Sequence, residues 1–459
     1  MNKELRLSIL FSLFLVTHLS AQPPSLSTYT ITQSGRLTFA YTNCFLNRSC
    51  YTKQAFTKTE IPPLVITEAG TQYYFLVDGR KSVLWSSAIQ PGEKGSVDLK
   101  KGSTRPFTLT RPYIHEANFD PAKLMFNWKR NYHAIYSGHL LYNAVGEKLF
   151  IGFCHGENKN EITTRTCTEA IGSQALQNTI QPNMPISCSD SATWSGGKPY
   201  RDGWDVYNGI LSAVWIPVVG PPGDPNAISS TSTDIGPIAW PSMAYMTPDS
   251  IKTTAGLRHP SSILVGDSIY IFYMEAGIYK GLTPSVEGRQ GGVKLLRVHK
   301  DSALSPHRYQ TYYSSSKGGT DAWNPSLPPG FTKETMLQYA TVKGPPSTDI
   351  LDDDSRTGDV VRFSVAKVRG TDYFIGVEEY RTWNDPSYHL ALRTSTDLRH
   401  WSPRQTIYSA PSWEAFLYHY PTFSDTAGRT NTEVDADSFY IHGTGAVWGN
   451  SVNRLRLRR

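Results

Sequence analysis

The sequence predicts an all-β protein built from short antiparallel sheets repeated in series. Three observations predict it. Gly (36) and Pro (30) are abundant in 459 residues, aromatics reach 12% and charged residues only 18%, the profile of a turn-rich β protein. Apolar runs are short, and no long segment carries a 3.6-residue period. A unit of strand, turn, aromatic strand and third strand recurs along the chain.

The unit is clearest at Arg258–Gly277, RHPSSILVGDSIYIFYMEAG. Ile263–Val265 and Ile269–Met274 flank a Gly266-Asp267 turn, which reads as a β-hairpin. Val293–Val298 supplies the third strand. An earlier unit comprises Pro63–Ile66, Gln72–Val77 and Ser82–Trp85. The next comprises His139–Tyr142, Lys148–Phe153 and, after a long insertion at about 154–205, Ile210–Val219. A later one takes Phe363–Val368, Tyr373–Val377 and His389–Arg393. The last takes Tyr420–Phe423, Phe439–Ile441 and Asn453–Leu457. Five such units predict a five-bladed β-propeller, whose radial closure leaves few exposed edges. Thr28–Asn43 is expected as a hairpin about Ser34-Gly35. It either completes the last blade or makes a sixth.

The first 21 residues read as a signal peptide: a basic start (Lys3, Arg6), an apolar run from Leu7 to Val16 and a small-residue end at Leu19-Ser20-Ala21. Residues 22–459 are then one propeller domain, exported to a secreted or periplasmic location. Stable membrane insertion is not expected, and the domain is expected to be a monomer. The net charge is +6. Residues 1–21 carry +1 of it and Arg454, Arg456, Arg458 and Arg459 carry +4, leaving +1 for the rest. A basic face for nucleic acid is therefore not expected. RLRLRR near the C-terminus reads as a half-exposed closing strand. Of the five cysteines, Cys44 and Cys50 could pair, as could two of Cys154, Cys167 and Cys188. No zinc-finger spacing occurs.

Two segments carry a resemblance. Pro-x-x-(apolar)-x-x-Gly-Asp-x-x-Tyr-(apolar)-Phe-Tyr at Pro260–Tyr273, with Ser395-Thr396-Asp397-Leu398-x-x-Trp401, resembles the blades of five-bladed propeller glycoside hydrolases of the family 43 arabinanase and xylosidase type. The resemblance implies paired-carboxylate hydrolysis of a polysaccharide or oligosaccharide, and a channel calcium as the one ion. No other cofactor is expected. The family places an aspartate base before a first-strand proline, where this chain has His259.

In a propeller the first strands line the channel, so first-strand starts and second-strand ends should share one face. Ionisable residues stand at those places in every unit. Glycoside hydrolysis needs two carboxyl groups across the scissile bond. The candidates are Asp359 as base and Glu275 and Glu379 as acids. Arg258, His259, His139, His419, Arg362 and Trp204 are the expected carbohydrate contacts. The same residues serve equally as a polar channel rim, so a non-catalytic carbohydrate-binding or surface-interaction propeller is the alternative. Asp352-Asp353-Asp354 is a second calcium candidate. There is no Gly-x-Ser-x-Gly elbow, phosphate loop or HExxH helix.

Overall fold

The computed structural model describes Leu26 and residues 29–43, 51–55, 64–68, 71–78, 81–87, 96–98, 104–106, 130–162, 204–218, 233–242, 255–277, 292–315, 320–332, 344–351, 358–382, 387–445 and 451–459. These form β-strands with two short 3-10 turns. The signal segment, Cys44, Cys50, Cys167, Cys188 and Asp352–Asp354 lie outside the described residues.

In chain order, β1 (Thr30–Asn43) and β2 (Tyr51–Ala55) come first. They are followed by β3 (Leu64–Glu68), β4 (Thr71–Asp78), β5 (Lys81–Ser87), β6 (Ser96–Asp98) and β7 (Thr104–Pro106). Next are β8 (Arg130–Tyr142), β9 (Lys148–Ile162), β10 (Trp204–Pro217) and β11 (Thr233–Pro237). Then come β12 (Ala255–Val265), β13 (Ser268–Gly277), β14 (Gly292–His299), β15 (Gln310–Ser314) and β16 (Asp321–Pro325). β17 (Gly358–Val368), β18 (Phe374–Thr382), β19 (Tyr388–Ser395) and β20 (Gln405–Ala410) follow. β21 (His419–Ser424), β22 (Glu433–Val434), β23 (Ser438–Thr444) and β24 (Ser451–Arg458) end the chain.

The strands make four sheets in a propeller-like arrangement. One runs β3-β4-β5-β7 and one β20-β19-β18-β17-β22. One runs β2-β1-β24-β23-β21, with β6 against β1. The nine-stranded sheet runs β16-β15-β14-β13-β12-β10-β9-β8, with β11 on β10. Its middle is narrow: β10 and β12 share only Asn208↔Ala255 and Gly209↔Gly256, in parallel. Elsewhere in that sheet the pairings are antiparallel meanders.

Between consecutive strand groups lie four apolar cores. Leu64 meets Ile135, Phe150 and Val214. Ile151, Phe153 and Leu211 meet Leu257, Ile269 and Ile271. Ile263, Phe272 and Leu295 meet Phe363, Val365 and Phe374. Val377, Leu390 and Leu392 meet Phe423, Phe439 and Ile441. Each sheet thus buries side chains against the next, which is why its strands read as near-continuous apolar runs.

Two sequence expectations change. Thr30–Asn43 is one strand, not a hairpin: Ser34 and Gly35 pair straight through with Leu455 and Arg454. A continuous partner offers that backbone a full ladder, which a two-residue Ser-Gly turn would forfeit. β24 consequently lies inside the sheet between β23 and β1 rather than closing it. Its alternation holds: Val452, Leu455 and Leu457 are buried, with the arginines between them more exposed. The segment expected as an insertion is also narrower, because β9 and β10 pair as far as Ile162↔Trp204. Cys154 is buried in the first inter-sheet core.

The Ser395–Trp401 segment folds as a turn built by its own side chains. Ser395 Oγ accepts the Leu398 N–H at 2.9 Å. Asp397 Oδ1 accepts those of Arg399 and His400, each at 2.9 Å. Leu398 takes φ 67°, and Trp401 Nε1 donates to its carbonyl at 3.0 Å. Trp401 then packs edge-on against Phe363. Phe363 also approaches Gly376, where a Cβ would lie 2.4 Å from the ring.

The first and last sheets are joined by buried polar bonds. Asn431 Oδ1 accepts the Val65 N–H, and its Nδ2 donates to the Phe423 carbonyl at 2.7 Å. Asn431→Ala leaves two buried backbone groups unsatisfied, and we expect a loss of about 2 kcal/mol or more. The check is a fall in the urea midpoint at unchanged m-value. Asn431→Asp, which keeps only the acceptor, should fall between wild type and Asn431→Ala.

Candidate functional site

The inner strands β8, β12, β17 and β21 each carry a β-bulge. The register slips at Tyr136 in β8, at His259-Pro260 in β12, at Val361 in β17 and at Tyr420-Pro421 in β21. Bulges re-aim side chains, and here they bring residues from several inner strands together. The His259 ring centroid lies 5.5 Å from that of Tyr136 and 5.0 Å from that of Tyr420. The Arg362 guanidinium lies 5.4 Å from the centre of the Tyr136 ring. His259 and Tyr420 hold φ of 50° and 54°, a costly conformation for non-glycine residues that persists only where the surroundings impose it. His259 Nδ1 bonds the Val361 carbonyl at 2.6 Å. The Tyr420 N–H donates to Glu379 Oε2 at 2.8 Å. Opposite the Tyr420 bulge, Gly443 approaches so closely that a Cβ would sit 2.3 Å from Tyr418 Cα.

Hydroxyls join the inner strands to one another. Ser261 Oγ donates to the Phe363 carbonyl at 2.6 Å, and Ser364 Oγ to that of Pro421 at 2.7 Å. Arg362 donates from Nη2 to the Tyr136 carbonyl and from Nε to Ser364 Oγ, both at 3.2 Å. Burial lowers its pKa to about 10, partly offset by Tyr136, Tyr420 and Glu379.

Glu379 is fully buried. Its Oε1 meets His419 Nδ1 at 2.6 Å. His419 Nε2 meets the Trp413 carbonyl at 2.9 Å, and its ring stacks on Trp413 with centroids 3.5 Å apart. Both ring nitrogens thus face oxygen atoms. The neighbouring Glu378 is also fully buried, between Arg404 Nε (2.7 Å) and Arg393 Nε (3.3 Å).

Glu275 belongs to a separate polar group. Its Oε1 accepts the Ser242 N–H and Oγ–H, each at 2.7 Å, and its Oε2 accepts Ser347 Oγ at 3.4 Å. Burial and the Glu275 charge push the Tyr273 hydroxyl's pKa up. Glu275 thus pins two loops to β13.

Of the expected site residues, His259, Arg362, Glu379 and His419 come together, and Arg258 is half-buried beside His259. Asp359 pairs with Arg381 across β17 and β18, and Trp204 opens β10; their side chains lie outside the described residues. His139 does not join the cluster. β8 begins at Arg130, so His139 stands beyond the bulge, toward the strand's far end. There it lines a second, open cavity of about 840 Å³ with Leu64, Leu264 and Lys367. Tyr136 and Tyr420 are the cluster members that charge-based reading passed over. Tyr420-Pro421 repeats the His259-Pro260 pattern, the signal that would have found it.

Among the described residues, no three His, Cys, Asp or Glu side chains are placed to hold a metal ion. No helix among them is long and apolar enough to cross a membrane.

No family model and no curated protein matches the chain. Solved structures do. The catalytic domain of a GH62 α-L-arabinofuranosidase from Coprinopsis cinerea is 8% identical, with 92% of this chain and 96% of that chain covered and a TM-score of 0.35. An endo-arabinase from Bacteroides thetaiotaomicron is 8% identical over 87% and 95%, at 0.36. An α-L-arabinofuranosidase from Fusarium graminearum, solved with an iminosugar inhibitor, is 9% identical over 92% and 97%, at 0.36. At these identities and scores the likeness assigns this chain neither a family nor an activity.

Burial lowers His139 from 6.5 to about 4, and burial with the Arg454 cation lowers His442 from 6.5 to about 3. Each imidazole takes its proton more readily in the unfolded chain. Their contribution is therefore full above pH 6.5 and is lost as pH falls toward 4. At pH 5 each should cost about 2 kcal/mol. Denaturation midpoints at pH 7 and pH 5 should converge in a His139→Gln, His442→Gln double variant relative to wild type. An equal drop in both proteins would refute the assignment.

Proposed function

We propose that the chain is a secreted, five-bladed, monomeric propeller glycosidase acting on a polysaccharide or oligosaccharide at the axial cluster. The five blades count the nine-stranded sheet as two, divided at the β10-β12 junction, and treat β1 as the outer strand that completes the last blade. Residues 1–21 are its cleaved signal peptide.

The observation that supports this reading most is the gathering of Tyr136, His259, Arg362 and Tyr420 by backbone bulges, with Glu379 and His419 directly behind them. Strained backbone that concentrates aromatic and ionisable groups is a functional-site signature. Flat rings beside hydrogen-bonding groups suit sugar faces and hydroxyls. Arg258, His259, Arg362 and His419 would contact or orient the sugar, with Trp204 on the rim. Asp359 would serve as base. Glu275 and Glu379 are the acid candidates, as an acid on one face of the bond needs a carboxylate on the other.

One observation favours the non-catalytic, carbohydrate-binding reading: both oxygens of Glu379 are held, by His419 and by the Tyr420 N–H. The two readings separate on a panel of aryl glycosides and polysaccharides. Turnover that falls roughly 10²-fold or more in Asp359→Asn and in one of Glu275→Gln or Glu379→Gln supports hydrolysis. Saturable glycan binding with no turnover selects the binding reading. Turnover unchanged in all three variants removes these carboxyl groups from the reaction.

A further inference from the structure

Arg362 lies buried in the axial cluster without an ion-pair partner among the described residues. Arg362 is 3% exposed. Its Nε and Nη2 donate to Ser364 and to the Tyr136 carbonyl, whereas Nη1 is buried with no hydrogen-bond partner. Among the described residues no carboxylate forms an ion pair with it. Glu379, opposite it across β17 and β18, is already committed to His419 and the Tyr420 N–H. His419 has both nitrogens on acceptors, so Glu379 has no oxygen left for Arg362. A buried guanidinium N–H left unbonded is costly, and native structures leave such groups only where something else satisfies them.

Other arginines among the described residues show what Arg362 lacks. Buried Arg393 and half-buried Arg404 share Glu378. The more exposed Arg369 meets Asp425, Glu433 and Asp435. Arg362 instead bonds only Ser364 Oγ and the Tyr136 carbonyl, both neutral. The half-buried rings of His259 and Tyr420 are the solvent-facing members of its cluster, while Arg362 and Tyr136 are the buried ones.

We propose that Arg362 binds the carboxylate of an acidic sugar, so that the ligand is a uronic-acid-bearing glycan rather than a neutral one. This rests on the carbohydrate reading of the axial site. A carboxylate suits Nη1 because a planar guanidinium pairs with it in a charge-assisted bond, which would give Arg362 the ion pair it lacks among the described residues. A neutral hydroxyl would satisfy Nη1 with a weaker, uncharged bond.

The test is calorimetric titration of the full chain with trigalacturonate and with its neutral counterpart, galactotriose, at low salt. The acidic trimer should bind roughly tenfold to a hundredfold more tightly. Arg362→Met should abolish that preference, lowering trigalacturonate affinity more than galactotriose affinity. Arg362→Lys, which keeps the charge, should retain part of it and also controls for folding. Equal affinity for the two trimers, or a preference that survives Arg362→Met, overturns the proposal. Saturable binding of both trimers by the wild type without acid preference overturns the proposal and leaves the carbohydrate reading standing. An intact acid preference without turnover of any glycan counts against hydrolysis alone.

Discussion

The Glu379 carboxylate holds the axial side of the molecule together. One oxygen fixes His419, which in turn stacks on Trp413. The other receives the Tyr420 N–H and so maintains a bulge whose backbone no unassisted tyrosine would favour. That bulge brings Tyr420 beside His259 and Tyr136, and places the Pro421 carbonyl to accept Ser364. Removing the carboxylate would leave the buried His419 Nδ1 and the Tyr420 N–H without their partner, a costly loss.

Around this point the architecture separates two tasks. The apolar cores between consecutive strand groups supply the bulk of the burial. The inner strands are joined instead by short polar bonds, from Ser261, Ser364, Arg362 and His259. Apolar packing is tolerant of small shifts, while hydrogen bonds fix distance and direction. An axial site built on the second kind of contact keeps its side chains in register even though each comes from a different strand.

The buried carboxylates divide by their surroundings. Glu378 meets two arginines, Glu379 an imidazole and a backbone amide, and Glu275 serine donors alone. Glu275 therefore forms no ion pair among the described residues, and its second oxygen has only a long contact to Ser347. Its chemistry differs from that of Glu379 for that reason, although both end a second strand and looked equivalent in the sequence.

Local sequence determined the strands of the main units almost by itself. Gly266-Asp267 and Gly370-Thr371 end inner strands β12 and β17 where expected, because turn residues act within four positions. The Ser395–Trp401 turn is likewise closed by its own side chains. The charged ends of those strands were legible too, as His259, Arg362, Glu379 and His419 show. What the tertiary structure alone decided were relations between distant segments. Whether Thr30–Asn43 folds on itself or pairs with β24 depends on a partner more than 400 residues away. His139 looked like a strand start, yet β8 begins nine residues earlier and carries it past the bulge. The lack of an ion pair at Arg362 among the described residues is of the same kind: composition counts charges, but only packing decides which of them meet a carboxylate.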